Sequence, residues 1–304
     1  MCGIVGVFSR SPTVEARLGA HLSAMLTQLG DRGPDSSGVA VYRDPVAEGS
    51  TKLTLFSPDP DEDWGALAES ATAAFGGSAR PDVHASHAVV VVPAGAAEVV
   101  AWVEARHPRL RVMSAGRAIE LYKETGRPER FVERFGLDGF QGTHALGHTR
   151  MATESRVTTE GSHPFSTGLD LCLVHNGSLS NHNGLRERLR REGIEFRTEN
   201  DTEVAAGYLT WRLREGSSLE GALEDCLEEL DGFYTFLVGT RRGFAVLRDP
   251  IACKPAVLAE TDEWVAMASE WRAIAVLPGA AEARMWEPEP AVVYAWEREP
   301  VTVS

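Results

Sequence analysis

Cys2 stands directly after the initiator methionine, and it is the one cysteine of this sequence whose position suggests chemistry. Small second residues generally permit methionine removal, which leaves a thiol and a free amine on one carbon framework. An α-amino group titrates at about 7.7–8.0 and a free thiol at about 8.5, so the amine can serve as base for its own side chain near neutral pH. The other reading is a buried residue on an N-terminal strand. Arg150, in Gly147-His148-Thr149-Arg150-Met151-Ala152-Thr153, ends a strand-like run and offers a planar fork matched to a carboxylate. A surface or ion-pair arginine would read the same way. In Val174-His175-Asn176-Gly177, the Asn-Gly pair reads as a tight turn. It is also compatible with an oxyanion hole built from a side-chain amide and the next backbone N–H. Asn200-Asp201-Thr202-Glu203 precedes a helical run, where Asp201 or Thr202 could cap the helix or Asp201 could pair with an ammonium group.

Elements that could position these groups follow from hydrophobic spacing. The first residues, Met1 to Phe8, read as a buried strand. Leu18, Leu22, Met25, Leu26 and Leu29 then recur at helical spacing until Gly30-Asp31-Arg32-Gly33-Pro34-Asp35 breaks the helix. From 51 to 139 strands and helices alternate, with helices expected over 96–106 and from Arg117, and this stretch is read as an inserted α/β subdomain. Helices are expected near 182–192, 202–215 and 218–230. Short β-rich runs over 233–240, 243–247, 256–260 and 264–268 are expected to be antiparallel neighbours. Strand-rich blocks with helices segregated between them point to α+β layers rather than a doubly wound sheet.

A length of 304 residues and 43% hydrophobic composition allow a full core without staples. Acidic residues outnumber basic ones by 44 to 30, and no Lys/Arg cluster is suited to a phosphate backbone, which argues against a nucleic-acid partner. The longest apolar runs, such as 88–92, fall well short of the ~20 residues a membrane span needs. With no charged n-region or cleavage site at the start, a soluble cytoplasmic protein is expected. The four cysteines, Cys2, Cys172, Cys226 and Cys253, lack the spacing of a zinc site or disulfide framework. The last three are expected as small core residues.

Cys2-Gly3-Ile4-Val5-Gly6, Arg32-Gly33-Pro34-Asp35-Ser36, His148-Thr149-Arg150, His163-Pro164, His175-Asn176-Gly177 and Asn200-Asp201-Thr202-Glu203 occur together and in this order. The set resembles the class-II glutamine amidotransferases, and it continues into Arg248-Asp249-Pro250, Lys254-Pro255 and Ala268-Ser269-Glu270. The sequence looks closest to the stand-alone amidotransferase subunit of the glutamate synthase and N-methylglutamate synthase group. The resemblance implies an N-terminal-nucleophile hydrolase: a four-layer αββα sandwich forming one amidotransferase domain over 1–304, with the subdomain inserted at 51–139.

By the same resemblance Cys2 is the nucleophile, Asn176 and Gly177 form the oxyanion hole, Arg150 grips the glutamine α-carboxylate and Asp201 takes the α-ammonium. Thr153 would help line the pocket, and Arg32 would lie in the turn beside the N-terminal cysteine. Many relatives carry Trp or Phe after the arginine and His-Gly after the threonine, where this chain has Met151 and Glu154-Ser155. The chemistry requires no metal or organic cofactor. The implied activity is glutamine hydrolysis with ammonia passed to a flavin-containing, glutamate-synthase-like or N-methylglutamate-synthase-like partner, since no P-loop or flavin segment is legible here. The rivals are a catalytically silent glutamine-sensing or scaffold subunit and an N-terminal cysteine hydrolase of another amide. The latter would not need separate groups for a carboxylate and an ammonium.

Overall fold

Apolar side chains on both faces of successive strands require a layer on each side of every sheet, and the chain supplies one. A computed structural model describes residues 2–152 and 157–298. The first strand, Gly3–Ser9, lies inside a seven-stranded sheet between Trp264–Ala268 and His144–Arg150, and the latter pairs in turn with Ser36–Tyr42. A five-stranded sheet is built around the pair Leu171–Leu179 and Gly232–Thr240. Alternation assigns every side chain to a layer. Val5, Val7, Val39 and Val41 join Leu18, Leu22, Met25 and Leu26 in a core beneath the helix Leu18–Thr27. Their sequence neighbours Ile4, Phe8, Ala40 and Tyr42 point the other way, meeting Cys172, Val174, Leu237, Phe244 and Val246 between the two sheets. Leu173, Phe236 and Val238 face a third core with the helices His182–Arg191, Asp201–Arg214 and Leu219–Glu229. The result is the αββα sandwich.

Three local expectations are corrected. The segment from Arg117 is not a helix but the strand Ile119–Thr125, paired along its length with Ser36–Tyr42. Its alternation sends Ile119 and Leu121 to the inter-sheet core and Tyr122 to the outer one. The Asp170 carboxylate fixes its start by accepting the N–H groups of Arg117, Ala118 and Ile119 at 2.9, 2.7 and 3.1 Å. The last β-rich runs, expected as antiparallel neighbours, pair so only two by two and divide between two sheets. Gly232–Thr240 pairs with Gly243–Arg248 in one sheet, whereas Val257–Glu260 pairs with Trp264–Ala268 in the other. Between them, buried Arg248 donates to Ala252 O and Lys254 O, and the Asp249 carboxylate accepts from Tyr234 N and Ile251 N, shaping the crossing. Cys253 lies in that crossing and is exposed, not a core residue, whereas Cys172 and Cys226 are buried.

A third, four-stranded sheet is formed by Asp82–His84, His87–Val92, Thr51–Phe56 and Arg111–Gly116. Leu53, Leu55, Val90 and Val92 pack beneath the helices Trp64–Phe75 and Ala96–Arg106. Lys52 reaches off this sheet to the buried Glu120 carboxylate at 2.9 Å, tying it to the seven-stranded sheet. Among the described residues no helix is long and apolar enough to cross a membrane.

Candidate active site

Two sheets place their ends at Cys2. This half-buried residue immediately precedes the first strand, where Gly3 lies opposite Thr149. A Cβ on Gly3 would stand 2.7 Å from Thr149 Oγ1 and 2.8 Å from Leu29 Cδ1, so the strand can run this close only with glycine there. The Cys2 carbonyl accepts from Arg32 Nε at 3.1 Å and, from the other sheet, from Asn176 Nδ2 at 3.3 Å. Arg32 is buried and ion-pairs with Glu270, which also receives Arg272 Nε at 2.6 Å. Burial pushes the Glu270 carboxyl up, but Arg32 and Arg272 outweigh it and hold it below its ordinary range. The next residue back, Ser269, exchanges hydrogen bonds of 2.9 Å with both backbone groups of Ile4.

Asn176-Gly177 is not a turn. The strand Leu171–Leu179 runs through it, with Asn176 opposite Thr235 and Gly177 opposite Tyr234. Gly177 adopts φ 154°, and a Cβ there would lie 2.0 Å from Phe233 O and 2.7 Å from His175 Nε2. Only glycine keeps the ladder intact with this twist, so the pair Asn176-Gly177 is set where a side-chain amide and a backbone N–H come from adjacent residues.

Arg150 ends the strand His144–Arg150 and is buried, with Nη1 donating to Gly161 O at 3.1 Å. Asn200 Nδ2 donates to the same oxygen at 3.4 Å. The turn carrying Arg32 passes against the Arg150 backbone: a Cβ on Gly33 would be 2.4 Å from Arg150 N, and Asp35 N donates to Arg150 O at 3.0 Å. Asp201 opens the helix Asp201–Arg214, but the cap is Asn200, whose side chain accepts from Thr202 N at 2.9 Å. The Asp201 carboxylate therefore does not cap its own helix, although Oδ1 accepts from Thr202 Oγ1 at 3.4 Å. Oδ2 accepts from Leu179 N at 3.0 Å, and Oδ1 lies 3.8 Å from His175 Nδ1.

Beneath these groups three histidines are stacked, with His148 and His163 ring centroids 4.0 Å apart. Thr202 Oγ1 joins two of them, lying 2.9 Å from His175 Nδ1 and 3.1 Å from His163 Nε2. Burial holds His148 down at about 3 and lowers His163 and His175 as well, Asp201 opposing the shift at His175. Neutral rings give the floor of the site a fixed, uncharged hydrogen-bond pattern. Among the described residues no group of three or more His, Cys, Asp or Glu side chains is placed to share a metal ion.

Of the residues singled out from sequence, Cys2, Arg32 and Asn176 converge directly, Gly177 follows Asn176, and Arg150 is joined through Gly161 O to Asn200, the residue before Asp201. Thr153 and Met1 lie outside the described residues. Glu270 belonged to the sequence motifs without a role being read for it, and Thr202 was read only as a possible helix cap, whereas Asn200 caps and Thr202 joins the histidines; acidic and hydroxyl residues inside the motifs were the available signal.

The αββα fold with this end-of-strand cysteine defines an N-terminal-nucleophile hydrolase architecture. Residues 148–276 match the family described as glutamine amidotransferase domain. Over 300 residues the chain is 54% identical to the glutamine amidotransferase-like protein GlxB of Rhizobium meliloti, covering 98% of this chain and 99% of the relative. It is 35% identical over 129 residues to a glutamine–fructose-6-phosphate aminotransferase of Xylella fastidiosa, 42% of this chain and 21% of that one. Its fold is similar to that of the glutamine phosphoribosylpyrophosphate amidotransferase of B. subtilis, with TM-score 0.59 at 20% identity over 97% of this chain and 49% of that one. The chain belongs to the class-II glutamine amidotransferases and is an amidotransferase enzyme.

Proposed function

We propose that the chain hydrolyses glutamine at Cys2 and delivers the ammonia to a separate synthase subunit. With Met1 removed, the Cys2 amine takes the thiol proton, through a water, and the thiolate adds to the glutamine side-chain amide carbon. The oxyanion is held by Asn176 Nδ2 and Gly177 N–H, donors of a kind worth roughly 2.7–4 kcal/mol each. The C–N bond breaks as the leaving nitrogen is protonated, freeing ammonia and leaving a thioester. Water then adds to the thioester, releasing glutamate and restoring the thiol. Arg150 pairs with the α-carboxylate, Asp201 with the α-ammonium, Thr153 lines the pocket, and Arg32 holds the Cys2 backbone.

The observation that carries this reading is the convergence of Asn176 and Arg32 on the Cys2 carbonyl, which places an amide donor from the second sheet beside the sulfur-bearing residue. Replacement of Cys2 by Ser or Ala should abolish glutaminase activity while the protein stays folded; appreciable hydrolysis by either variant contradicts it.

The partner assigned here is a flavin-containing, glutamate-synthase-like or N-methylglutamate-synthase-like protein in the cytoplasm. The reason is chemical: free ammonia mostly protonates in neutral water and loses its nucleophilic lone pair, so it must be used where it is made. The segment 51–139 is assigned as the inserted subdomain; it carries the small sheet with its two helices, and the strand Ile119–Thr125 within it pairs into the seven-stranded sheet. Isotope competition tests the partner: nitrogen from labelled glutamine should reach the synthase product undiluted by ammonium in the buffer, and full equilibration with that pool contradicts channelling.

A further inference from the structure

Lys123 is a buried cation that the mechanism above does not use. It sits on the strand Ile119–Thr125 opposite Gly38 and is 4% exposed. Its ammonium donates to three backbone carbonyls of a single loop, Glu160 O at 3.0 Å, Ser162 O at 2.9 Å and Pro164 O at 3.2 Å, and stands 4.5 Å from the Phe165 ring centroid. Gly38 makes room for this loop, since a Cβ there would be 2.1 Å from His163 O and 2.7 Å from Lys123 Cβ. The carbonyl between the first two, Gly161 O, is the one that accepts from both Arg150 and Asn200.

We propose that Lys123 is a positioning residue that clamps the loop 158–164, so that Gly161 O aims the Arg150 guanidinium and the Asn200-Asp201 helix start at the two charged ends of glutamine. The inference rests on the assignment of Arg150 to the α-carboxylate. Stability alone would be served as well by an apolar side chain, because a buried ammonium is costly to desolvate. That cost is visible here: burial pulls Lys123 down to about 7, with Glu203 and Glu160 opposing the shift and Arg197 adding to it. Three carbonyl ligands aimed at one loop give the charge its use, as backbone carbonyls accept strongly from an ammonium and an alkyl chain would release all three.

The test is a coupling cycle on glutamine binding, by calorimetry in a Cys2→Ala background so that no turnover occurs. Lys123→Met, Arg150→Lys and their combination are compared, with thermal unfolding of each. Lys123→Met should weaken binding by about tenfold or more, and the double variant should bind little worse than Arg150→Lys alone, because both changes break one link. Lys123→Gln, which keeps amide donors without the charge, should fall between and serves in place of Lys123→Met if that variant does not fold. Unaltered affinity in the Lys123 variant while Arg150→Lys weakens binding overturns the inference alone. So does a double variant whose loss is the full product of the single losses. Unaltered affinity in Arg150→Lys removes the Arg150 assignment and the inference together.

Discussion

Gly177→Ala is the substitution that most directly sets backbone geometry against chemistry. The added Cβ would lie 2.0 Å from Phe233 O, 2.7 Å from His175 Nε2 and 2.7 Å from Tyr234 Cα. Ordinary contact begins near 3.4 Å, so the two central strands of the five-stranded sheet must part by more than an ångström or Gly177 must rotate. The φ of 154° is itself strained for a residue with a side chain. Strain of about 1–3 kcal/mol and overpacking of about 1–3 kcal/mol combine to a predicted loss of about 2–6 kcal/mol. Either adjustment turns the Gly177 N–H and shifts the neighbouring Asn176 amide off Cys2. Loss of one such donor lowers kcat by about 10²–10³. The control is Gly136→Ala: its φ is 62°, but no atom lies within 4 Å of the added Cβ, so only conformational cost of about 1 kcal/mol applies. Urea unfolding and steady-state glutaminase kinetics read both effects. A Gly177→Ala protein with the parent's unfolding midpoint and kcat would refute the reasoning, as would equal activity losses in the two variants.

Arg150→Lys keeps the charge but not the fork and should raise KM for glutamine by about 10–100-fold with little change in melting temperature; Asp201→Asn should raise it by about tenfold, and normal KM in both moves the substrate site elsewhere. Glu270→Gln releases the buried Arg32 that holds the Cys2 carbonyl, so kcat/KM should fall by about tenfold at a stability cost of about 1–2 kcal/mol; unchanged kinetics would reduce the pair to a structural role. Burial holds His87, His144 and His148 at about 3, against an ordinary 6.5. Between those values the unfolded chain binds protons that the folded chain refuses, so stability is full above pH 6.5 and lost as the pH falls toward 3. Each histidine should contribute about 1.4 kcal/mol per pH unit within that window, read by urea midpoints between pH 7 and 5, and His87→Phe should flatten the slope by one histidine's share. A slope that His87→Phe leaves unaltered contradicts the assignment.

The α+β layering was legible from strand-rich blocks with helices segregated between them, and the αββα sandwich only through the resemblance; which layer each side chain joins is set by alternation, Val5 and Ile4 facing opposite ways. Which strands pair is not local. Ser36–Tyr42 sits between segments about a hundred residues downstream, and nothing short-range marks that. The stretch from Arg117 was misread because Ile119, Glu120 and Leu121 satisfy several periods, and the deciding contact is a carboxylate at Asp170 on another hairpin. At the site, residue types singled out the cysteine, the amide and the charged pair as candidates, and the resemblance supplied their expected roles. They did not reveal that Asn200 caps the helix while the Asp201 carboxylate accepts from Leu179 N, or that Arg32 finds its counter-charge 238 residues away in Glu270. Lys123 was silent for a related reason: a lysine in a strand reads as a solvated face until the loop that buries it is placed.

The central claim is that Cys2, as the first residue of the mature chain, is the nucleophile, and intact-mass analysis with a glutamine-analogue electrophile tests it most directly. The account predicts a protein lacking Met1 that takes up a single adduct, mapped to Cys2, with glutamine protecting against labelling and the exposed Cys253 left unmodified. Retention of Met1 in fully active protein, or glutamine-protected labelling at Cys253 instead of Cys2, would contradict it.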